Sequence, residues 1–321
     1  MNSQTLIDQK ELNKLMEPLV SIIIMTYNSA KYVLETLESA QAQTYQNIEL
    51  IVTDDCSSDN TVELVNFWIN EHKNRFFRNK VITTPVNTGI PANCNRGAKI
   101  SKGEWIKIIA GDDILLNDCV ASYIKEIAND KDLRFITSDM LYINNSGEIV
   151  NKNDFKYDVL RRYFFNLKPE KQLKIYARLP LFINSPSFFI HKITLQSVNY
   201  FDEEFTIYDD MPLIFNVLEK GIGISYIEKK TVKYRIYENS LSRTRNNLIN
   251  TIRINEQIRC FNKYRKKYLK KTNIVDLFVF YDFWLEHCYK GVYGFKGLSL
   301  LNLINFYPFY LKYLVNRYKK M

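Results

Sequence analysis

Three short runs of apolar residues dictate most of what this chain can become. Val20-Ser21-Ile22-Ile23-Ile24-Met25, Ile48-Glu49-Leu50-Ile51-Val52 and Trp105-Ile106-Lys107-Ile108-Ile109 have the length and β-branched character of buried strands. Each stops at polar residues: Thr26-Tyr27-Asn28, Thr53-Asp54-Asp55 and, after Ala110-Gly111, Asp112-Asp113. Between them, residues 30–43 and 61–71 place apolar side chains at helical spacing, with Asp59 or Asn60 as N-cap of the second helix. A further run, Val81-Ile82-Thr83-Thr84, leads through Asn87-Thr88-Gly89 into a helix over residues 91–100, with Pro91 near its first position and Gly103 past its end. Alternation of strands and helices with short connections predicts an α/β fold, a mostly parallel central sheet with helices on both faces. Ligands bind such sheets at the carboxyl ends of the strands. Two adjacent acids there repel each other and lose hydration. A divalent cation and a phosphate-bearing ligand are the simplest compensation. The plainer reading of any one pair is that Asp and Asn cap helices and form turns.

After Asp113 the pattern changes. The sequence predicts a helix near 117–129, a β-rich stretch over 134–143 and helical, basic-aromatic residues over 154–178. A strand over 181–190 follows, interrupted by Ser185-Pro186-Ser187. Tyr208-Asp209-Asp210 then opens a helix running to Lys220, and residues 224–236 form another strand. From residue 246 on, three helices are expected, over 246–271, 274–290 and 298–318, and a short leading helix over 5–16 ends at Pro18.

Charge divides along the chain. Residues 1–229 hold 25 Lys+Arg against 30 Asp+Glu, whereas residues 230–321 hold 19 against 5, which gives the overall +9. A mildly acidic body with a basic tail points to an anionic partner for the tail. Lys263-Tyr264-Arg265-Lys266-Lys267-Tyr268 and the segment from Phe306 to Tyr313 interleave cations with aromatic rings, which suits an anionic membrane surface. A helical cap on the catalytic domain or a dimer contact, with the aromatics as core, is the competing reading. No nucleic-acid motif accompanies the charge, so nucleic acid is not expected as a partner. The five cysteines are odd in number and widely spaced, with no CxxC pair, which fits a reducing setting. Residues 1–17 lack the apolar core of a signal peptide. No run of about 18 uninterrupted apolar residues predicts a spanning helix.

Four ordered motifs together resemble glycosyltransferase family 2. They are residues 20–28, Asp54-Asp55-Cys56-Ser57-Ser58-Asp59-Asn60-Thr61, Asn87-Thr88-Gly89 through Asn95-Arg96-Gly97, and Gly103-Glu104-Trp105-Ile106 to Gly111-Asp112-Asp113. The resemblance implies the GT-A fold and an inverting transfer from a nucleotide-sugar. It implies that Thr26, Tyr27, Asn28, Asn87 and Gly89 line the nucleotide-sugar pocket, that Asp55 binds the base edge, and that Asp112 sits near ribose and metal. Asp113 is the implied direct ligand of a divalent metal, Mn²⁺ or Mg²⁺. Asp209-Asp210-Met211-Pro212-Leu213 resembles the acidic pair whose second member, here Asp210, is the catalytic base; the plain alternative is a carboxylate complementing a helix dipole. Tyr234-Arg235-Ile236-Tyr237 through Ser242 resembles the family's Tyr-Arg-x-His-x-x-Ser segment with Tyr237 in place of His. Arg235, Arg243 and Arg245 thereby become candidates for phosphate contact. Two further departures are Ala110, where the family often has the first Asp of Asp-x-Asp-Asp, and Cys94, where many relatives carry Arg. His191 falls in a segment near the family's acceptor site, though a structural histidine is the alternative.

The expected organisation is a leading segment over 1–17, a glycosyltransferase domain over 18–245 (nucleotide half 18–115, acceptor half 116–245) and a basic, aromatic helical region over 246–321. The expected activity moves a sugar, UDP-linked, onto a glycan or lipid-linked glycan hydroxyl in bacterial surface-polysaccharide assembly, in the cytoplasm and peripheral to the inner face of the membrane. A non-catalytic nucleotide-sugar-binding or scaffolding protein of the same fold is the alternative from another class. Nothing in the sequence indicates an oligomeric state.

Overall fold

A computed structural model describes residues 17–150, 158–179, 183–236 and 247–284. Branched apolar runs pair first with one another. β1 (Val20–Thr26) lies between β2 (Ile48–Asp54) and β4 (Trp105–Ala110), parallel to both, and β3 (Arg78–Thr83) extends the parallel set beyond β2. Both faces of β1 are buried. Ile23 joins one hydrophobic cluster with Ile51, Cys94 and Ala98, while Ile22 and Ile24 join another with Val33, Leu37 and Val65. Successive strand side chains point to opposite faces, so helices must cover both. Helix α1 (Val33–Gln41) and α2 (Thr61–His72) supply one cover, and α3 (Ile90–Ile100) contributes to the other.

The second half continues the same sheet. The strand order is β3-β2-β1-β4-β7-β6-β8-β5, with β5 (Ile114–Leu115), β6 (Phe135–Ile143), β7 (Phe189–His191) and β8 (Ser225–Arg235). β7 is antiparallel to both β4 and β6, whereas β6 and β8 pair in parallel. The three-residue β7 is held by rings. Phe189 stacks between Trp105 at 5.2 Å and Tyr123 of α4 (Cys119–Asn129) at 4.6 Å.

Several expected elements change extent. In the strand predicted over 181–190, the interruption at Ser185–Ser187 is a 3-10 turn and the part after it is β7, while residues 181–182 lie outside the described residues. The helix predicted over 154–178 is two helices, α5 (Asp158–Phe165) and α6 (Pro169–Arg178), and Pro169, lacking an N–H, starts the second. After α7 (Lys192–Ser197) and α8 (Asp210–Glu219), α9 (Asn247–Cys260) ends well short of residue 271 and passes into π and 3-10 turns over 261–268. α10 (Ile274–Trp284) closes the described chain; the expected helices over 5–16 and 298–318 lie outside the described residues.

The basic-aromatic stretch over 263–268 serves the core. The Tyr264 and Tyr268 rings stack on Phe215 of α8 at 5.9 and 6.2 Å, and Lys267 bridges to Glu219 at 2.8 Å. This is the helical-cap reading of that stretch. The segment over 306–313 lies outside the described residues.

Candidate active site

The strand order reverses direction between β1 and β4, and the crevice opened at such a switch point is where open sheets bind ligands. Thr26 and Asp54, register partners at the ends of β1 and β2, are joined by a hydroxyl–carboxylate bond of 2.7 Å. Asp54 also accepts from the Ser57 amide at 2.8 Å. The next residues turn sharply. Asn28 (φ 51°) and Cys56 (φ 68°) occupy the left-handed region, which for residues with a Cβ persists only where surroundings over-determine it. For Asn28 the restraint is visible: its amide donates to Ser57 Oγ and its Oδ1 accepts from the Ser58 amide, both at 2.8 Å. Tyr27, between these anchors, is left 50% exposed.

Asp55 is buried, and its carboxylate is committed within the protein. It accepts from the Thr88 hydroxyl at 2.7 Å, the Gly89 amide at 2.8 Å, both oxygens from the Thr88 amide, and Arg96 Nη2 at 2.6 Å. In this structure Asp55 therefore fixes the loop of the third motif. Asn87, exposed at the start of that loop, turns its Oδ1 back to the Gly89 amide at 3.1 Å. Gly89 has φ 91°, and a Cβ there would stand 2.7 Å from the Thr206 carbonyl oxygen, so neither the dihedral nor the space admits a side chain. Arg96 and Thr88 had been quoted only as parts of a motif. Their role as partners of Asp55 is tertiary and has no sequence signal of its own.

Asp112 and Asp113 follow β4 directly. The close approach of Gly111 to Thr26 and Ser29, where a Cβ would meet Thr26 Cγ2 at 2.9 Å, sets this turn against the end of β1. Asp113 is buried. Burial, then the charge of Asp112, lift its carboxyl well above the usual range, against the opposing pull of the Arg235 amide bond at 2.9 Å and of the Lys107 and Arg235 charges. Arg235 itself is 1% exposed. Its guanidinium donates to the Asp112 carbonyl at 2.8 Å, to the Asn144 and Asn145 carbonyls at 3.2 and 3.1 Å, and to Glu35 at 2.7 Å, and lies 4.2 Å from the Tyr32 ring centroid. The Arg235 cation is thus buried behind the acidic turn and braces that turn. Arg243 and Arg245 lie outside the described residues.

Lys107 was read only as part of a strand. It is 0% exposed, and its ammonium donates to the Pro186, Ile108 and Phe188 carbonyls, tying β4 to the turn before β7. Burial pulls its pKa down to about 8. Among the described residues no group of three or more His, Cys, Asp or Glu could hold a metal ion. Asp113 and Asp112 offer oxygen donors alone, the ligand chemistry that suits Mg²⁺ or Mn²⁺.

The second acidic pair opens α8. Burial and the neighbouring Asp210 charge raise Asp209 to about 7, and burial also raises Asp210. The two are not equivalent. Asp210, the first residue of the helix, accepts from the Met211 amide at 2.6 Å, and amide bonds and the helix N-terminus both favour its charged form. Tyr176, Tyr208 and Cys260 sit close enough to feel its charge. Cys94 is fully buried in the core beside Met25, and its thiol is pushed up by burial and by the nearby Asp209 charge. An arginine at this position would therefore face the acidic pair. His191 is scaffold: its Nδ1 accepts the Ile193 amide at the start of α7, and its ring meets Trp105 edge-on at 5.0 Å.

Short contacts join the segment leading to this second acidic pair to the loop held by Asp55 and to α3. The Ile90 amide donates to the Thr206 carbonyl at 2.8 Å, beside Gly89. Asn95 pairs with the Phe201 backbone through two bonds of 2.9 Å.

Comparisons with known proteins bear on the family and the fold. The sequence profile of "Glycosyl transferase family 2" matches residues 21–194. The chain is 27% identical to an uncharacterised glycosyltransferase of Methanocaldococcus jannaschii over 71% of its length and 74% of that protein's. It is also 27% identical to Escherichia coli WfaP, a UDP-Glc:alpha-D-GlcNAc-diphosphoundecaprenol beta-1,3-glucosyltransferase, over 70% of this chain and 80% of that one. Other matches are shorter: the chain spans 39% of a Haemophilus influenzae glycosyltransferase to which it is 40% identical over 101 residues. S. aureus TarS 1-349 in complex with UDP-GlcNAc has a similar fold, with a TM-score of 0.59 at 20% identity, covering 88% of this chain and 75% of that one. So does the mannosyltransferase PcManGT of Pyrobaculum calidifontis, in complex with GDP-Man and Mn2+, with a TM-score of 0.60 at 17% identity over 84% and 70% of the two chains.

Proposed function

The chain belongs to glycosyltransferase family 2 and has its GT-A fold, and from that premise we propose an inverting transfer of one sugar from a UDP-sugar to an acceptor hydroxyl. The observation that carries this reading is the bond between Thr206 and Ile90, which sets the segment leading to Asp210 against the loop held by Asp55. In the proposed step the acceptor oxygen forms a bond to the anomeric carbon and its proton passes to Asp210. The bond from that carbon to the diphosphate breaks on the opposite face, which inverts the centre. Burial raises both carboxyls, while the Met211 amide and the helix N-terminus favour the charged form of Asp210. Tyr27, exposed at the end of β1, is available to stack on the base. Asp113 and Asp112 would hold the divalent cation, whose chemistry is to neutralise charge on the leaving diphosphate. The domain division follows the same reading, with donor-side residues before Asp113 and acceptor-side residues after it.

The test is a binding screen of UDP-, GDP-, CDP- and dTDP-sugars. UDP-sugars are expected to bind and raise the melting temperature. Preference for another nucleotide overturns the donor assignment, and no binding by any of them overturns the whole reading.

WfaP acts on a diphosphoundecaprenol acceptor, and this chain carries an excess of cations over residues 230–321. These two facts support a lipid-linked glycan acceptor, with the basic C-terminal region in peripheral contact with an anionic membrane from the cytoplasmic side. No helix among the described residues is long and apolar enough to cross a membrane. Removing residues 298–321 is expected to release the protein from anionic vesicles, and undiminished co-sedimentation of the truncated protein rules the contact out.

A further inference from the structure

We infer that Glu256, on helix α9, is a positioning residue for the transfer reaction, a reading that rests on Asp210 as its base. Glu256 is 4% exposed, and its carboxylate points at one stretch of backbone. Oε1 accepts from the Thr206 amide and hydroxyl, both at 2.6 Å, and Oε2 accepts from the Ile207 and Tyr208 amides, both at 3.0 Å. Three successive amides converging on one carboxylate form an anion nest, and bonds to a charged acceptor are the strong ones. The two residues after this nest are Asp209 and Asp210.

The grip extends to the donor side through Thr206. Its backbone closes on Gly89 and its carbonyl accepts the Ile90 amide at 2.8 Å. The Gly89 amide is in turn held by Asp55 at 2.8 Å. One buried carboxylate from beyond residues 21–194 thus sets the spacing between the Asp55-bound loop and the base. A displacement of about 1 Å between reacting groups costs on the order of a hundredfold in rate, so a residue fixing this spacing acts on turnover more than on binding. Glutamine cannot substitute. It offers one accepting oxygen and turns its NH₂ group toward two of the four donors.

The experiment measures UDP release from UDP-Glc and UDP-GlcNAc, together with donor affinity by calorimetry. Glu256→Gln is expected to lower kcat by about tenfold or more with donor affinity within about twofold of wild type, and Glu256→Asp, which keeps the carboxylate, recovers part of the loss. Thr206→Val removes one of the four bonds and is expected to lower kcat by about threefold, with the double variant no slower than Glu256→Gln. Wild-type kcat in both single variants, or an equal fall in kcat and affinity, overturns the inference. Should Glu256→Gln fail to fold, Thr206→Val decides alone. Asp210→Asn in the same assay separates the two claims: if it retains turnover, the assignment of the base fails. If it abolishes turnover while both Glu256→Gln and Thr206→Val are unaffected, only the role of Glu256 fails.

Discussion

Asp210→Asn is expected to lower sugar transfer by about 10²–10⁴-fold while leaving donor affinity within about twofold of wild type. The amide is isosteric and its oxygen can keep the bond from the Met211 amide, so α8 retains its start. What the variant cannot do is take the acceptor proton. Its neighbour responds as well: part of the rise of Asp209 to about 7 comes from the Asp210 charge, so in the variant Asp209 titrates lower. The sign for stability follows. A carboxyl raised above its unfolded value favours the folded state at low pH, and that contribution is lost as pH rises through about 7. The wild type is therefore expected to lose stability through this window, and Asp210→Asn to lose less there. Thermal melts from pH 5 to 8 measure the second effect and transfer assays the first. Impaired donor binding with unchanged transfer refutes the assignment.

Asp113→Ala is expected to remove the metal dependence of UDP binding. The carboxylate is the buried member of a two-acid set, with Ala110 where a further acid often stands in the family, so little remains to share a cation. Loss of a residue that merely supports a metal ligand costs about 10–100-fold in metal affinity, and loss of a direct ligand at least that. Calorimetry of UDP with and without Mn²⁺ reads it directly. Wild-type affinity should rise with the ion, and the variant should bind equally in both conditions. Equal affinity in the wild type removes the metal from the site. The variant also frees the Arg235 amide, so a melting curve must accompany the titration to show that the turn under β8 persists.

The parallel half of the fold was legible because its strands are buried on both faces, and such strands appear in a sequence as unbroken branched runs ending in polar residues. β5, only two residues long, has no such signal, whereas the interruption at Ser185–Ser187 was legible from its Ser-Pro-Ser sequence. The acids of the site were visible as pairs at strand and helix ends. Their tasks were not. Asp55 meets Thr88, Gly89 and Arg96 only after α3 has docked, and Arg235 reaches Asp112 across 123 residues of sequence. Lys107 is the sharpest case. A lysine inside an apolar strand pattern gives no hint that its ammonium turns inward to three carbonyls, and only the turn before β7 explains why burial is tolerated there.

The position of β7 has a mechanical consequence. Because a strand of three residues joins the β3-β2-β1-β4 set to β6 and β8, the described sheet is one continuous beam. Bending there would break the stack of Trp105, Phe189 and Tyr123 and strand the Lys107 charge. Substrate capture in such a frame falls to the segments at the strand ends. Acceptor preference can then diverge through those segments without any change in the beam that spaces the chemistry.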